Sequence, residues 1–61
     1  MKYIVQEWQR GQWVPSLDGP MSLATARQVA RDTRRALHVP VRIVECTPDG
    51  IGAVVATEAG R

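Results

Sequence analysis

Side chains capable of acid–base or nucleophilic chemistry are few in this sequence and lie far apart along it. The six acidic residues share no spacing that would pair two carboxylates. Asp18 and Asp49 both stand in turn-like stretches, where aspartate bonds to nearby backbone N–H groups. Ser22 is better explained as a helix cap than as a nucleophile. This inventory predicts that the protein is not an enzyme and has no small-molecule substrate.

Metal and redox chemistry are disfavoured by the same scarcity. Cys46 is the only cysteine and His38 the only histidine, whereas a structural zinc site usually takes most of its ligands from these two residue types. We therefore expect neither a metal site nor another cofactor. A disulfide within the chain is excluded as well, and a chain of 61 residues buries only a small core. We expect it to gain stability by association, either with itself as a homodimer or with a partner.

Arginine is the residue type whose number and spacing stand out. Seven of the eight basic residues are arginine, in a chain of net charge +2. On a helix that advances about 100° per residue, one side would carry Arg27, Arg31, Arg34 and Arg35. Such a surface suits the carboxylates of an acidic protein or the phosphates of a nucleic acid. An arginine-rich composition is equally typical of a GC-rich genome, and this alternative stays open.

Both tryptophans flank an Arg-Gly pair in the stretch YIVQEWQRGQWVP. Glycine at the second position of a two-residue loop favours a tight hairpin turn, and in that register Trp8 faces Trp13. A three-residue loop with a bulge would shift the pairing by one residue and put the tryptophans on opposite faces. Tryptophan and arginine are enriched among the residues that dominate protein interfaces. Trp8, Arg10 and Trp13 are therefore candidate partner-binding residues.

The elements that would carry these residues follow from hydrophobic patterns and helix or strand breakers. We predict one domain over residues 1–61, with a hairpin (2–15), a linker (16–21), a helix (22–37) and a strand (39–46), followed in one of two alternatives by a fourth strand (51–57). This order predicts an α+β fold of ββαβ or ββαββ type. It would be a small antiparallel or mixed sheet of three to four strands, with one helix on one face.

A single narrow helix can cover only one side of such a sheet. In the two-residue register one side of the hairpin carries Ile4, Trp8 and Trp13, and the other carries Tyr3, Val5 and Val14. The third strand would turn Val39, Val41 and Ile43 toward the helix and leave Arg42, Val44 and Cys46 outward. Exposed apolar side chains on the uncovered side would mark an interface. The alternative, in which the tryptophans form the core beneath the helix, stays open.

The sequence carries no pattern typical of export or membrane insertion. No stretch approaches the ~18 consecutive apolar residues of a membrane span. The first residues lack the apolar run and cleavage site of a signal peptide. Together with the lone thiol, these observations predict a cytoplasmic protein that does not bind membranes.

Three stretches together carry a resemblance: the hairpin YIVQEWQRGQWV, the Ser-capped, Ala-rich helix SLATARQVARDTRRAL and the strand VPVRIVECTPDG. Their succession resembles small ββαβ accessory proteins encoded by bacteriophages and bacterial mobile elements. It is also similar to small bacterial domains with a GxW hairpin, an Ala-rich helix and a closing strand that ends in Asp-Gly. The resemblance covers most of the chain and implies no catalytic residue. It implies a role in binding, because such proteins often block or redirect a host protein.

These observations predict a non-enzymatic protein-binding module, a phage or mobile-element accessory protein that modulates a host protein. Its surface would meet an acidic partner through tryptophans and arginines, namely Trp8, Arg10, Trp13, Arg27, Arg31, Arg34, Arg35 and Arg42. The alternative is a nucleic-acid-binding module that uses the arginine side of the helix. The modest net charge and the single lysine favour the protein partner.

Overall fold

A four-stranded sheet and one helix make up residues 1–58, the part of the chain that the structure, a computed structural model, describes. The elements are β1 (Lys2–Gln9), β2 (Gln12–Pro15), α1 (Leu23–Leu37), β3 (Val41–Thr47) and β4 (Gly50–Glu58). The strands lie in the order β2-β1-β3-β4, and every neighbouring pair is antiparallel. The predicted α+β class is confirmed in its ββαββ form. The predicted domain includes residues 59–61, which lie outside the described residues.

A two-residue turn joins β1 to β2. Arg10 and Gly11 both have left-handed backbone conformations, with φ of 54° and 81°. A tight hairpin turn whose twist matches that of its strands needs positive φ at both positions. The turn pairs Trp8 directly with Trp13. The two-residue register is thereby confirmed and the three-residue alternative is wrong, so both tryptophans share one side of the sheet.

α1 begins at a serine cap and ends at a left-handed histidine. The hydroxyl of Ser22 accepts a hydrogen bond from the backbone N–H of Thr25 at 3.3 Å, which satisfies one of the N–H groups left free at a helix start. At the other end His38 has φ of 57°, and its N–H donates to the carbonyl of Arg34 at 3.0 Å. This left-handed cap stops the helix two residues before Pro40. Within residues 1–58, no helix has the length and apolar content needed to span a bilayer.

The segment that follows β2 runs back along β1. The N–H of Ser16 donates to the carbonyl of Val5 at 2.9 Å, and Tyr3 and Met21 exchange two backbone hydrogen bonds of 2.7 and 2.8 Å. Residues 17–20 lie between these two anchors, and the side chain of Leu17 is fully exposed. The linker predicted at 16–21 is therefore tied to β1 at both ends, which determines where α1 begins.

The core lies between α1 and the middle of the sheet. Small side chains occupy the fully buried positions of α1, so the helix can lie close to the strands beneath it. The buried cluster consists of Val5, Met21, Ala26, Ala30, Val41 and Ile43. Full burial of an aliphatic side chain contributes about 1.5–3 kcal/mol. The stability of the fold therefore depends strongly on the three β-branched residues that β1 and β3 contribute to this cluster.

β4 is irregular in its middle. Two register shifts interrupt its pairing with β3, one on each side of the Val44–Val54 pair. At Gly52 a Cβ atom would lie 3.0 Å from Cγ2 of Thr47 and 3.1 Å from Oε1 of Glu45. Because ordinary van der Waals contacts are longer, glycine at this position permits the close approach of β3. Gly52 thus lies next to one of the two register shifts, between the Cys46–Ile51 and Val44–Val54 pairs.

Two serines provide a matched test of the hydrogen bonds around the linker. Ser22→Ala removes the helix cap and is expected to lower the free energy of unfolding by about 1 kcal/mol. Ser16→Ala is expected to leave it unchanged or raise it by up to ~1 kcal/mol, because the buried Ser16 hydroxyl has no hydrogen-bond partner among the described residues. Urea unfolding followed by tryptophan fluorescence measures both values. Equal losses in the two variants would contradict this assignment.

Candidate protein-binding site

The side of the sheet that faces away from α1, which we call the open face, carries both tryptophans. Side chains alternate across a strand, so the neighbours of the core residues Val5 and Val41 point away from the helix. The strand residues on the open face are Lys2, Ile4, Gln6, Trp8, Trp13, Pro15, Arg42, Val44, Cys46, Ile51, Val54 and Thr57. The alternative that the tryptophans form the core beneath the helix is therefore wrong.

The tryptophans pack against each other across the hairpin. Their ring centroids lie 5.1 Å apart at an interplanar angle of 71°, an edge-to-face contact. Such a pair contributes about 0.5–1.5 kcal/mol beyond the area it buries. Trp8 remains 39% exposed and Trp13 is half-buried. The pair therefore holds the hairpin together and still presents aromatic surface to solvent.

Arg42 completes this cluster from the neighbouring strand β3. Its guanidinium carbon lies 4.3 Å from the ring centroid of Trp13, a cation–π distance. Its Nε donates a hydrogen bond of 2.6 Å to Oε1 of Gln6, the residue that faces it on β1. Gln6 is only 7% exposed. A buried amide and an aromatic ring thus hold the guanidinium in one orientation, and we call Gln6, Trp8, Trp13 and Arg42 the Trp–Arg cluster.

Beyond the Trp–Arg cluster, the open face is partly covered by its own side chains. Val44 lies on this side, as the alternation predicts, yet it is completely buried. It pairs with Ile4 on β1 and with Val54 on β4. Exposed apolar surface remains at Val54 and at Ile51, both about half exposed. The open face of a lone chain therefore keeps apolar area in water.

The charged strand residues of the open face are both basic. They are Lys2, which is exposed, and Arg42, which is half-buried. The acidic strand residues Glu7, Glu45 and Glu58 fall on the helix side of the sheet by the same alternation. The open face consequently has a positive charge of its own, independent of the net charge of the chain.

The remaining predicted site residues lie elsewhere. Arg10 is exposed in the hairpin turn, two positions from Trp8. Arg27, Arg31 and Arg35 are exposed on α1, and Arg34 is half-buried there. Because α1 covers the opposite side of the sheet, the four helix arginines do not join the Trp–Arg cluster. Of the eight predicted residues, the structure brings together Trp8, Trp13 and Arg42, and it leaves Arg10 in the hairpin turn and four arginines on α1.

The single histidine and the single cysteine of the chain lie in different elements. His38 is the exposed cap of α1, and Cys46 is half-buried near the end of β3. Across residues 1–58, no three histidine, cysteine, aspartate or glutamate side chains converge closely enough to hold a metal ion.

Gln6 is the member of the Trp–Arg cluster that sequence reasoning missed. A glutamine in a strand is ordinarily taken as a solvent-facing residue, since it is seldom buried. Its role depends on Arg42, which lies 36 positions later and meets it only because β1 and β3 pair with this register. The signal would have been the position of Gln6 between the apolar residues Ile4 and Trp8 on the same side of β1.

Neither a protein-family model, nor a curated protein, nor a solved structure matches this chain. A function for this chain is therefore inferred from the side chains that its fold brings together.

The hydrogen bond between Gln6 and Arg42 can be tested by comparing the free energies of unfolding of variants that lack one or both of its partners. Arg42→Met leaves the buried Gln6 carbonyl oxygen without its donor and is expected to lower the free energy of unfolding by about 1–3 kcal/mol. The double variant with Arg42→Met and Gln6→Leu is expected to regain part of the lost free energy of unfolding, because it leaves no unpaired buried group at this site. Urea unfolding measures each variant. Arg31→Met, the same change at an exposed helix position, should stay within about 0.5 kcal/mol of the parent. A similar loss for Arg31→Met and Arg42→Met would contradict the role of Gln6.

Proposed function

We propose that this chain is a protein-binding module that contacts an acidic partner through the open face, with Trp8, Trp13 and Arg42 at the centre of the contact. The observation that carries the proposal is the Trp–Arg cluster on the side of the sheet that α1 leaves bare. Tryptophan and arginine most often provide the few residues that dominate a protein interface. Side chains that are already held in place also lose less conformational freedom on binding.

The orientation of Arg42 indicates what it would contact. Its Nε is engaged by Gln6, and its plane lies over Trp13. A guanidinium held in this way can offer its two terminal nitrogens as a fork, the geometry that binds a carboxylate through two parallel hydrogen bonds. The aromatic surface of Trp8 beside it would exclude water around such an ion pair. We therefore assign the central contact to an aspartate or glutamate side chain of the partner.

The charges of the open face favour a different protein over a second copy of this chain. Two open faces brought together would place Lys2 and Arg42 near their own counterparts, and like charges in an interface are unfavourable. An acidic surface would meet both residues with complementary charge. The apolar groups Ile51 and Val54 would then extend the contact along the sheet.

The biological setting of this contact is part of the proposal. Modulation of a host protein is the role implied by the resemblance to phage and mobile-element accessory proteins. The cytoplasm is the compartment in which the single thiol, Cys46, would remain reduced.

Exposed arginines on α1 support one alternative function. Arg27, Arg31 and Arg35 could neutralise phosphates of a nucleic acid, but Arg42 lies on the opposite side of the sheet and could not join them. Three phosphate contacts would give a log–log dependence of affinity on salt with a slope of roughly −3 on duplex DNA. A mobility shift at low salt with that slope would support the nucleic-acid alternative against the protein partner.

The proposal is tested by comparing substitutions on the open face with the same type of substitution on the exposed side of α1. The immobilised chain is used to recover a partner, and the purified pair is then measured by calorimetry. Trp8→Ser is expected to weaken binding by about 30-fold, the effect of losing a dominant interface residue of about 2 kcal/mol. Arg42→Lys keeps the charge but removes the fork, and we expect about tenfold weaker binding.

Arg31→Lys provides the matched control, because it makes the same change on α1. The affinity of this variant for the partner should stay within about a factor of two of the affinity of the parent chain, as expected for a surface residue outside the contact. The opposite pattern, with Arg31→Lys impaired and Arg42→Lys unaffected, would move the contact to the helix and overturn the proposal. Circular dichroism of each variant verifies that the fold is retained.

A further inference from the structure

A groove of about 500 Å³ lies on the helix side of the sheet, where the chain leaves β2 and passes the last turns of α1. Its volume falls in the range of roughly 300–1,000 Å³ that ligand pockets occupy. Residues 14–18 contribute to its lining together with the end of α1. The Trp–Arg cluster lies on the opposite side of the sheet, so a ligand in this groove is independent of the function proposed above.

Apolar side chains line much of the groove and remain exposed to water. Val14 is half-buried, Leu37 is 47% exposed, and Leu17 is fully exposed. Leu17 follows directly on Ser16, whose N–H is bonded to β1. Several exposed aliphatic side chains along one groove form an apolar patch, which is typical of an interaction site.

The charged residues that line the groove are all acidic. They are Glu7 from β1, Asp18 from the loop and Asp32 from α1. Neutral amides bond two of them: Gln9 donates to Glu7, and Gln28 donates to Asp32 at 3.1 and 3.2 Å. No lysine or arginine is among the described residues that line the groove. The negative charge of its lining therefore contrasts with the net charge of +2 of the chain.

We propose that this groove binds a peptide segment of another protein in which aliphatic side chains lie between basic ones. Val14, Leu17 and Leu37 would receive the aliphatic side chains, and the three carboxylates would pair with the flanking lysines or arginines. The carboxylates do not converge on one point, since within residues 1–58 no three such groups are close enough for a metal ion. Separated carboxylates suit a ligand whose positive charges are themselves separated.

A second copy of this chain fits the groove poorly. Its basic surface on α1, formed by Arg27, Arg31 and Arg35, would supply charge. Among the described residues, however, the large exposed apolar side chains are Met1, Trp8, Leu17, Leu37, Ile51, Val54 and Val55. Leu37, the only one of these on α1, lines the groove itself. The arginine surface therefore lacks the aliphatic side chain that the groove would receive.

The probe is a synthetic acetyl-Arg-Leu-Leu-Arg-amide peptide, titrated at low salt into the isotopically labelled chain. Amide NMR signals are expected to shift at residues 14–18 and 32–37, and the tryptophan indole signals are expected to stay in place. Leu17→Ser should weaken binding by about tenfold, in line with partial burial of a leucine. Because Leu17 is fully exposed in the free chain, this variant should keep the parent stability.

Two Asp-Gly turns supply a matched charge control. Asp18→Asn should weaken binding about threefold, as expected for one exposed ion pair, whereas Asp49→Asn, in the turn between β3 and β4, should have no effect. Trp8→Ser should leave peptide binding intact, which separates this site from the open face. The proposal is overturned if the parent chain shows no shifts, if the shifts fall on the indoles, or if both aspartate variants weaken binding equally.

Discussion

The backbone conformation of Arg10 and Gly11 decides on which side of the sheet each hairpin side chain lies. Two consecutive left-handed residues close the turn without a bulge, so Trp8 and Trp13 are paired and share a face. An extra residue in the turn would have reversed the side of every residue in β2. The contact between the indoles and the position of Trp13 below Arg42 both follow from this register.

The same alternation divides charge between the two sides of the sheet. On β1, Lys2 faces away from α1 while Glu7 faces the helix side. On β3, Arg42 and Glu45 are separated in the same way. One thin sheet therefore separates a basic, aromatic surface from an acidic, aliphatic groove. A chain of this size with both surfaces occupied would bridge two proteins of opposite charge.

Local features of the sequence were sufficient to predict most of the fold. The Arg-Gly turn, the serine cap and the alternation in β3 each depend on residues close together in the chain, where propensity and spacing act directly. The alternation also placed Arg42 and Val44 on the same side. Sequence patterns therefore placed Arg42 outward and offered the register that pairs Trp8 with Trp13, but they left open whether the tryptophans lie on the open face or beneath the helix.

Other features depend on distant pairings that local patterns do not encode. Gln6 meets Arg42 only because β1 and β3 pair with a specific register across the intervening helix. The groove exists because the Tyr3–Met21 bridge draws the linker back along β1, which brings Leu17 near the end of α1. The burial of Val44 depends on neighbours from two other strands. Each of these arises from tertiary packing, so a sequence pattern alone could not show it.

The irregularity of β4 bears on whether the edge of the sheet can add strands from other chains. Residues 51–57 form an uncharged run rich in β-branched side chains at the border of the sheet, a composition that favours growth into fibrils. Two register shifts distort this border, and the opposite border is a four-residue strand that ends in proline, which has no N–H to donate. Neither border is a good template for adding a strand from another molecule. A partner would therefore have to contact one of the two faces, where side chains rather than backbone groups determine which molecule fits.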